Sequence, residues 1–303
     1  MKQHTVRRNY EFTGKGLHTG AVTSLRILPA PAGHGIRFSR TDLGGAIVRA
    51  IASNVADASF NTTLEENGVR IMLVEHLLSA LAGLGVDNAL IEMDNVEVPV
   101  LDGSAAPFAE AISADGLQEQ DAVRKFLELM EPFLYKDDRT DAWVMAEPCS
   151  DFEAQLTINF NSPVVGVQTC SFDSSVDYRS QIAPCRTFCF FSQLEQLAAA
   201  GLVKGGDMDN AIVIVDREVN EAEVRRVAAL FDAQDVKVRQ GYLSNVDLHF
   251  DNECARHKML DLIGDFSLLG APLKARITAS KTGHRINTKV AAMLLKQLSE
   301  DKS

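Results

Sequence analysis

No stretch of this sequence approaches the roughly 20 consecutive apolar residues that span a bilayer. The N-terminal Met1-Lys2-Gln3-His4-Thr5 lacks the apolar segment of a secretory signal. Both absences lead to the expectation of a soluble, cytoplasmic protein. Cysteine is scarce: five residues, at 149, 170, 185, 189 and 254, an odd number without Cys-x-x-Cys spacing. Cys185 and Cys189 are four apart, but in an expected strand, where that spacing makes no metal claw. All five therefore read as reduced thiols. Positive charge is short as well, with 30 Lys and Arg against 41 Asp and Glu and a formal net charge of -11. Such a surface repels phosphate backbones, so no nucleic-acid partner is expected, and an anionic substrate must meet local Lys or Arg. Low-complexity tracts and coiled-coil heptads are missing too.

What remains is an ordinary globular composition, 46% hydrophobic over 303 residues, long enough for two domains. Residues 1–60 read as strands and glycine-punctuated turns, with Val22 to Leu28 alternating like a half-buried strand. Val74, Leu77, Leu78 and Leu81 fall on one face of a helix expected over Leu73 to Leu84, ended by Gly83 and Gly85 and followed by the strand Ala89 to Met93. A second helix is expected at Ala106 to Ala114. The charged stretch from Leu117 to Met130 contains the expected linker, 121–130, between domains 1–120 and 131–303. Strands follow at Ala142 to Ala146, Glu153 to Phe160 and Gly166 to Phe172, and a short helix at Gln193 to Ala200. Ala211 to Val215 is an apolar run typical of a buried strand. Helices at Glu221 to Phe231, His257 to Leu269 and Lys289 to Leu298, with a strand at Lys274 to Ala279, complete the pattern. Helix, glycine turn and strand at His76 to Met93 resemble the same series at His257 to Ala279. That duplication hints at two similar domains facing each other.

Three local features could carry chemistry. His257, Asp261 and Asp265 stand one turn apart on a helix, where a His and a carboxylate can grip one divalent ion; the same spacing also fits a polar stripe facing solvent. Glu75-His76 lies inside an apolar helix, a costly burial without partners or a metal, although an acid at a helix start also suits the dipole. His284, on a loop after a strand, can reach a cleft or simply face solvent. Taken together, two His and one Asp leave a coordination position open for water, the catalytic pattern. Glu75 can then take a proton, His284 can protonate a leaving amine, and Asp265 can hold the tautomer of His284. Lys258 adds fixed positive charge near a developing oxyanion. The set reads as an amide hydrolase.

These residues, together with Gly14-Lys15-Gly16-Leu17-His18-Thr19-Gly20, Ala82 to Asn88, Leu101 to Phe108, Arg186-Thr187-Phe188, Gly205-Gly206 and Gly283-His284, extend over nearly the whole chain. In these motifs the sequence resembles the UDP-3-O-acyl-N-acetylglucosamine deacetylases of Gram-negative bacteria, which catalyse the committed step of lipid A synthesis. The resemblance implies an α+β fold of two similar domains, each with helices layered on a sheet and the active site between them. It implies one catalytic Zn2+, with Fe2+ as a substitute, on His76, His257 and Asp261. Glu75 falls on the general base, His284 with Asp265 on the catalytic histidine pair, Thr187 on the oxyanion hydroxyl and Lys258 on a substrate-contacting lysine. Phe188 falls beside the sugar site. A strand-helix-strand insert at about 188–215 would form an acyl passage lined by Leu194, Leu197, Leu202 and Ile212. Cys189 and Phe190-Phe191-Ser192 depart from the glycine and charged continuation of many relatives, which bears on the lining of that passage.

The implied substrate is an acylated UDP-N-acetylglucosamine, and the implied enzyme is a monomer whose membrane contact runs through the acyl chain. The alternatives are a zinc amidohydrolase for another small amide and an inactive nucleotide-sugar-binding protein. Some relatives continue into a dehydratase-type domain, so the sequence is expected to be either the single-function form or part of such a fusion. His18 reads as structural, Gly205-Gly206 as a turn, and His4, His34 and His249 as surface or loop residues.

Overall fold

Val22–Pro29 buries Thr23, Leu25 and Ile27 and exposes the residues between them, the two-residue period of a strand with one face on the core. The computed structural model describes residues 1–207, 210–231, 233, 235–244 and 247–300. In it Val22–Pro29 is second in a five-stranded sheet ordered Tyr10–Lys15, Val22–Pro29, Ala89–Met93, Ile36–Arg40, Ala46–Arg49. A second sheet runs Phe133–Lys136, Trp143–Pro148, Leu273–Ser280, Glu153–Asn159, Val167–Phe172. Among the described residues seven α-helices accompany them: α1 Glu75–Leu84, α2 Ala106–Asp115, α3 Tyr178–Gln181, α4 Phe191–Ala199, α5 Glu221–Ala229, α6 Glu253–Ser267 and α7 His284–Glu300.

The faint duplication in the sequence is a shared topology. Ala89–Met93, which follows α1, is central in its sheet, antiparallel to Val22–Pro29 and parallel to Ile36–Arg40. Leu273–Ser280, which follows α6, is equally central, antiparallel to Trp143–Pro148 and parallel to Glu153–Asn159. The architecture is α+β, two helix-on-sheet halves. Between the halves Leu117–Val123 pairs with Lys2–Val6, and Leu127–Glu128 adds to Leu273–Ser280 in parallel.

Helices α1 and α6 meet face to face, with Leu77, Leu78 and Leu81 of one and Leu260, Leu262 and Phe266 of the other in a single core. Their backbones touch. A Cβ on Gly264 would stand 2.2 Å from the carbonyl oxygen of Glu75, so only glycine permits this crossing. The approach brings the first turn of α1 beside the middle of α6.

The strand-helix-strand insert is present, with Phe188–Phe190 and Ile212–Ile214 parallel on either side of α4. Its sheet continues into Tyr242–Leu243 and Val238–Arg239, beyond residue 215. Phe191, Leu194, Val213, Val215, Val224, Val227 and Leu243 give it a small core of its own. The insert is fastened to the first half by Gly205 N–H donating to Leu17 O (3.0 Å), and the turn falls on Lys204 and Gly205, one residue before the expected Gly205-Gly206.

Two helix starts differ from the expectation by a full turn or more. Helix α6 begins at Glu253, so His257 lies one turn inside it. There the Glu253 carboxylate is occupied by Arg186, a partner 67 residues away in sequence. Helix α7 begins at His284, which therefore stands at a helix start and not on a loop. Asn287 and Thr288 are weak helix formers. Here they are held by tertiary and local bonds, Asn287 to Asp265 and the Thr288 hydroxyl to the His284 carbonyl. Cys189 lies in Phe188–Phe190 and Cys185 outside it, and all five cysteines are free. No helix among the described residues is long and apolar enough to cross a membrane.

Candidate metal centre

Where α1 crosses α6, His76, His257 and Asp261 converge, one ligand atom from each lying within 4.8 Å of the other two. The Asp261 Oδ1 atom is 3.4 Å from His257 Nε2 and 3.8 Å from His76 Nε2. It is buried and accepts no hydrogen bond, a state that costs free energy for a carboxylate oxygen unless a cation meets it. The Nδ1 atom of His257 stands 3.0 Å from the Cys185 carbonyl. A carbonyl only accepts, so Nδ1 carries the proton and Nε2 turns a lone pair toward Asp261. Burial depresses the pKa of both histidines, that of His76 to about 3, which keeps the imidazoles neutral and their lone pairs available. Burial opposes the Asp261 charge, but the positive charge of Lys258 and His284 outweighs it and holds the carboxylate well below its usual range. Two imidazoles and an anionic oxygen fit a divalent ion of the zinc type.

The flanking groups are equally enclosed. Glu75, 1% exposed, is the first residue of α1. Burial raises its pKa against the pull of His284, and with the nearby Asp261 and Asp265 carboxylates it reaches about 7. Its Oε2 accepts from Thr62 N–H at 2.9 Å, while Oε1 lies 3.8 Å from His284 Nε2. Nδ1 of His284 donates to Asp265 Oδ2 at 3.0 Å, so Nε2 points into the site, 3.7 Å from Asp261 Oδ2. Burial disfavours the imidazolium, yet Asp265, Asp261 and Glu75 together lift the His284 pKa to about 9. Lys258 Nζ donates to Asp261 Oδ2 at 2.7 Å and lies 5.3 Å from the Phe188 ring centroid. Phe188 in turn packs 6.0 Å from the His257 ring.

Thr187 is clamped by its backbone. Its N–H donates to Gly103 O and its carbonyl accepts from Ile212 N–H, each at 2.8 Å. The turn at Gly103 has φ +81° and allows no side chain, since a Cβ there would stand 1.9 Å from the Asn210 carbonyl oxygen. The four residues expected to line an acyl passage divide. Leu197 and Leu202 are half-buried, whereas Leu194 is enclosed in the core of the insert and Ile212 in the main core. His18 is buried, with its N–H donating to Glu97. A cavity of about 1010 Å³, lined by Leu81, Gly85, Arg124, Phe126 and Tyr178 among others, opens at the far end of α1 and shares no residue with the ligand cluster.

Sequence reasoning did not single out Thr62, Asn287 or Glu253. The Thr62 hydroxyl donates to Asp265 Oδ1 at 2.6 Å and the Asn287 amide to Asp265 Oδ2 at 3.0 Å. Glu253, fully buried, accepts from the Arg186 backbone and guanidinium and so fixes the residue before Thr187. Their only advance signal is polarity beside apolar runs, which many surface residues share.

The whole chain can now be set beside known proteins. It is 37% identical to the bifunctional enzyme LpxC/FabZ of Bacteroides thetaiotaomicron, over 98% of this chain and 65% of that protein. It is 39% identical to the UDP-3-O-acyl-N-acetylglucosamine deacetylase of Saccharophagus degradans and 38% identical to that of Acidithiobacillus ferrooxidans, in each case over 98% of this chain and 91% of the relative. The chain thus spans just under two thirds of the bifunctional relative and nearly all of the two deacetylases. The family model for UDP-3-O-acyl N-acetylglycosamine deacetylases matches residues 3–231 and 229–296, and the chain belongs to that family.

Proposed function

We propose that this chain hydrolyses the acetamide of an acylated UDP-N-acetylglucosamine, releasing acetate and a free amine, with Zn2+ held by His76, His257 and Asp261 and Fe2+ as the substitute ion. The observation that carries the reading is the joining of that ligand set to Glu75 and His284, whose facing atoms lie 3.8 Å apart. A divalent ion there supplies Lewis acidity, polarising an amide carbonyl and acidifying water.

The side chains supply the proton movements. Glu75 keeps Oε1 free because Thr62 N–H occupies Oε2, so one oxygen is available to take the proton of the attacking water. His284, raised toward the charged form and oriented by Asp265, delivers a proton through Nε2 to the departing amine. Lys258 and the hydroxyl of Thr187 stabilise charge that develops on the carbonyl oxygen. Phe188 borders the sugar. Leu197 and Leu202 are the residues that meet the acyl chain, with Leu194 and Ile212 enclosed in their separate cores. The reading carries with it a cytoplasmic monomer whose membrane contact runs through the acyl chain of its substrate.

Metal content by mass spectrometry, run beside a deacetylation assay on acylated UDP-N-acetylglucosamine before and after chelation, tests the proposal. One ion per chain is expected, with activity lost on chelation and restored by zinc. A metal-free protein that turns over, or a metal-loaded one that does not, would overturn it.

A further inference from the structure

Asp265 is fully buried and accepts three hydrogen bonds, from His284 Nδ1, the Asn287 amide and the Thr62 hydroxyl. Two of these donors belong to α7 in the same half of the molecule. The third arrives from the other half. Thr62, itself without solvent exposure, precedes the strand Thr63–Glu66, and three of its atoms are committed at once. Its hydroxyl donates to Asp265 Oδ1, its N–H donates to Glu75 Oε2, and its carbonyl accepts from Val74 N–H at 3.2 Å, immediately before α1. Asn61 holds the loop from behind, with Oδ1 accepting from the Thr63 hydroxyl and from Leu73 N–H.

We propose that Thr62 is a positioning residue for the deacetylation, tying the carboxylate that takes a proton to the histidine pair that returns one. The inference rests on the deacetylase reading. Physically, Thr62 fixes two carboxylate planes relative to each other. With Oε2 of Glu75 occupied by its N–H, Oε1 is the oxygen that faces His284. With Oδ1 of Asp265 occupied by its hydroxyl, Oδ2 is the oxygen left for the His284 ring. Without that hydroxyl the Asp265 carboxylate can rotate, and Nε2 of His284 loses its aim. Because the donors come from both halves of the molecule, the same residue also registers one half against the other at the point of chemistry. The hydrogen bonds of Thr62 run to Glu75, Asp265 and Val74 and not to the three metal ligands or Lys258, so its loss should leave the ion in place.

The test compares Thr62→Val, which keeps the shape and the backbone donor, with Thr62→Ser, which keeps the hydroxyl, and with Ser79→Ala. Ser79 is a buried hydroxyl one turn into α1 that is bonded to Tyr178. For Thr62→Val the expected loss in kcat is about tenfold or more, with KM and zinc content per chain changed by less than about twofold. Thr62→Ser should restore most of the rate, and Ser79→Ala should lower the melting temperature with kcat intact. In parallel, the low-field imidazole proton of His284 in zinc-loaded protein should shift or broaden in Thr62→Val and persist in Thr62→Ser. Wild-type kcat and an unmoved proton in Thr62→Val would overturn the proposal, as would a serine variant as slow as the valine one. A wild-type protein inactive on the acylated UDP-sugar would instead sink the deacetylase reading, and the histidine proton would still report on the role of Thr62.

Discussion

In the first half of the chain, α1 is 10 residues long and offers Glu75 and His76 from its first turn. In the second half, α6 is 15 residues long and offers His257 and Asp261 from its middle and Asp265 from its last turn. The sheets behind them share one topology, so the difference lies in how far each helix extends past the crossing. An N-terminal turn has free backbone N–H groups and a positive dipole end, which suits a buried acid such as Glu75. The middle of a helix has no free backbone groups. Its contribution is instead a ladder of side chains at four-residue steps, two of which join the cluster with His76 while the third bonds to His284. A duplicated fold therefore yields an asymmetric site simply by sliding one helix relative to the other.

The sharpest break in that contrast comes from removing one group from each role in the first half. His76→Ala should cost the ion and essentially all activity, read by metal analysis and by the assay. Glu75→Ala should keep the ion and still cost on the order of 10²-fold in rate. Equal metal loss in both variants would mean that the first turn of α1 does not separate ligand from base. A smaller effect is expected at the crossing itself. Gly264→Ala introduces a Cβ 2.2 Å from the Glu75 carbonyl, and overpacking of this kind costs about 1–3 kcal/mol. Urea unfolding should show that loss together with weaker zinc retention, whereas a loss of stability with unchanged retention would uncouple the crossing from the site.

The smallest effect concerns how α7 is moored. The Arg285 guanidinium, with help from Thr140 and Tyr135, holds the Asp137 carboxyl well below its usual range. A depressed folded-state pKa stabilises the protein above the unfolded value near 3.9, and that stability is lost as pH falls toward the folded value. Asp137→Asn should therefore lower the urea midpoint at neutral pH, and the gap from wild type should narrow below about pH 4. A gap that stayed constant across that range would rule out the ion pair as its source.

The parts of this molecule that were legible in sequence are those encoded by local periodicity. The leucine stripe of α1, the alternation in Val22–Pro29 and the His257-to-Asp265 ladder each lie within one element and are present, although α1 starts at Glu75, two residues after the expected Leu73, which has φ +60°. Long-range bonds decide the rest. The start of α7 was obscured because Asn287 and Thr288 disfavour helix until Asp265 and the local backbone engage them. The extent of the insert was hidden by strands of only two residues, Val238–Arg239 and Tyr242–Leu243, too short to show a period. Thr62 was invisible for a similar reason, since its side-chain partner lies 203 residues away and no spacing rule reaches that far. Leu194 and Ile212 illustrate the converse: an apolar residue in an insert reads equally well as a lining or as a core, and packing chose the core.

The split of the site between α1, α6 and α7 also has a consequence for how the protein is made. A ribosome releases the chain from its N-terminus, and domains acquire structure in roughly that order. The first sheet and α1 are complete once residue 93 has emerged, with Glu75 and His76 already in place on their helix. His257 and Asp261 lie about 180 positions later, and His284 follows them. Until α7 closes over Asp265, Glu75 and His76 stand without His284, so the cluster is completed only by the last of its elements in chain order.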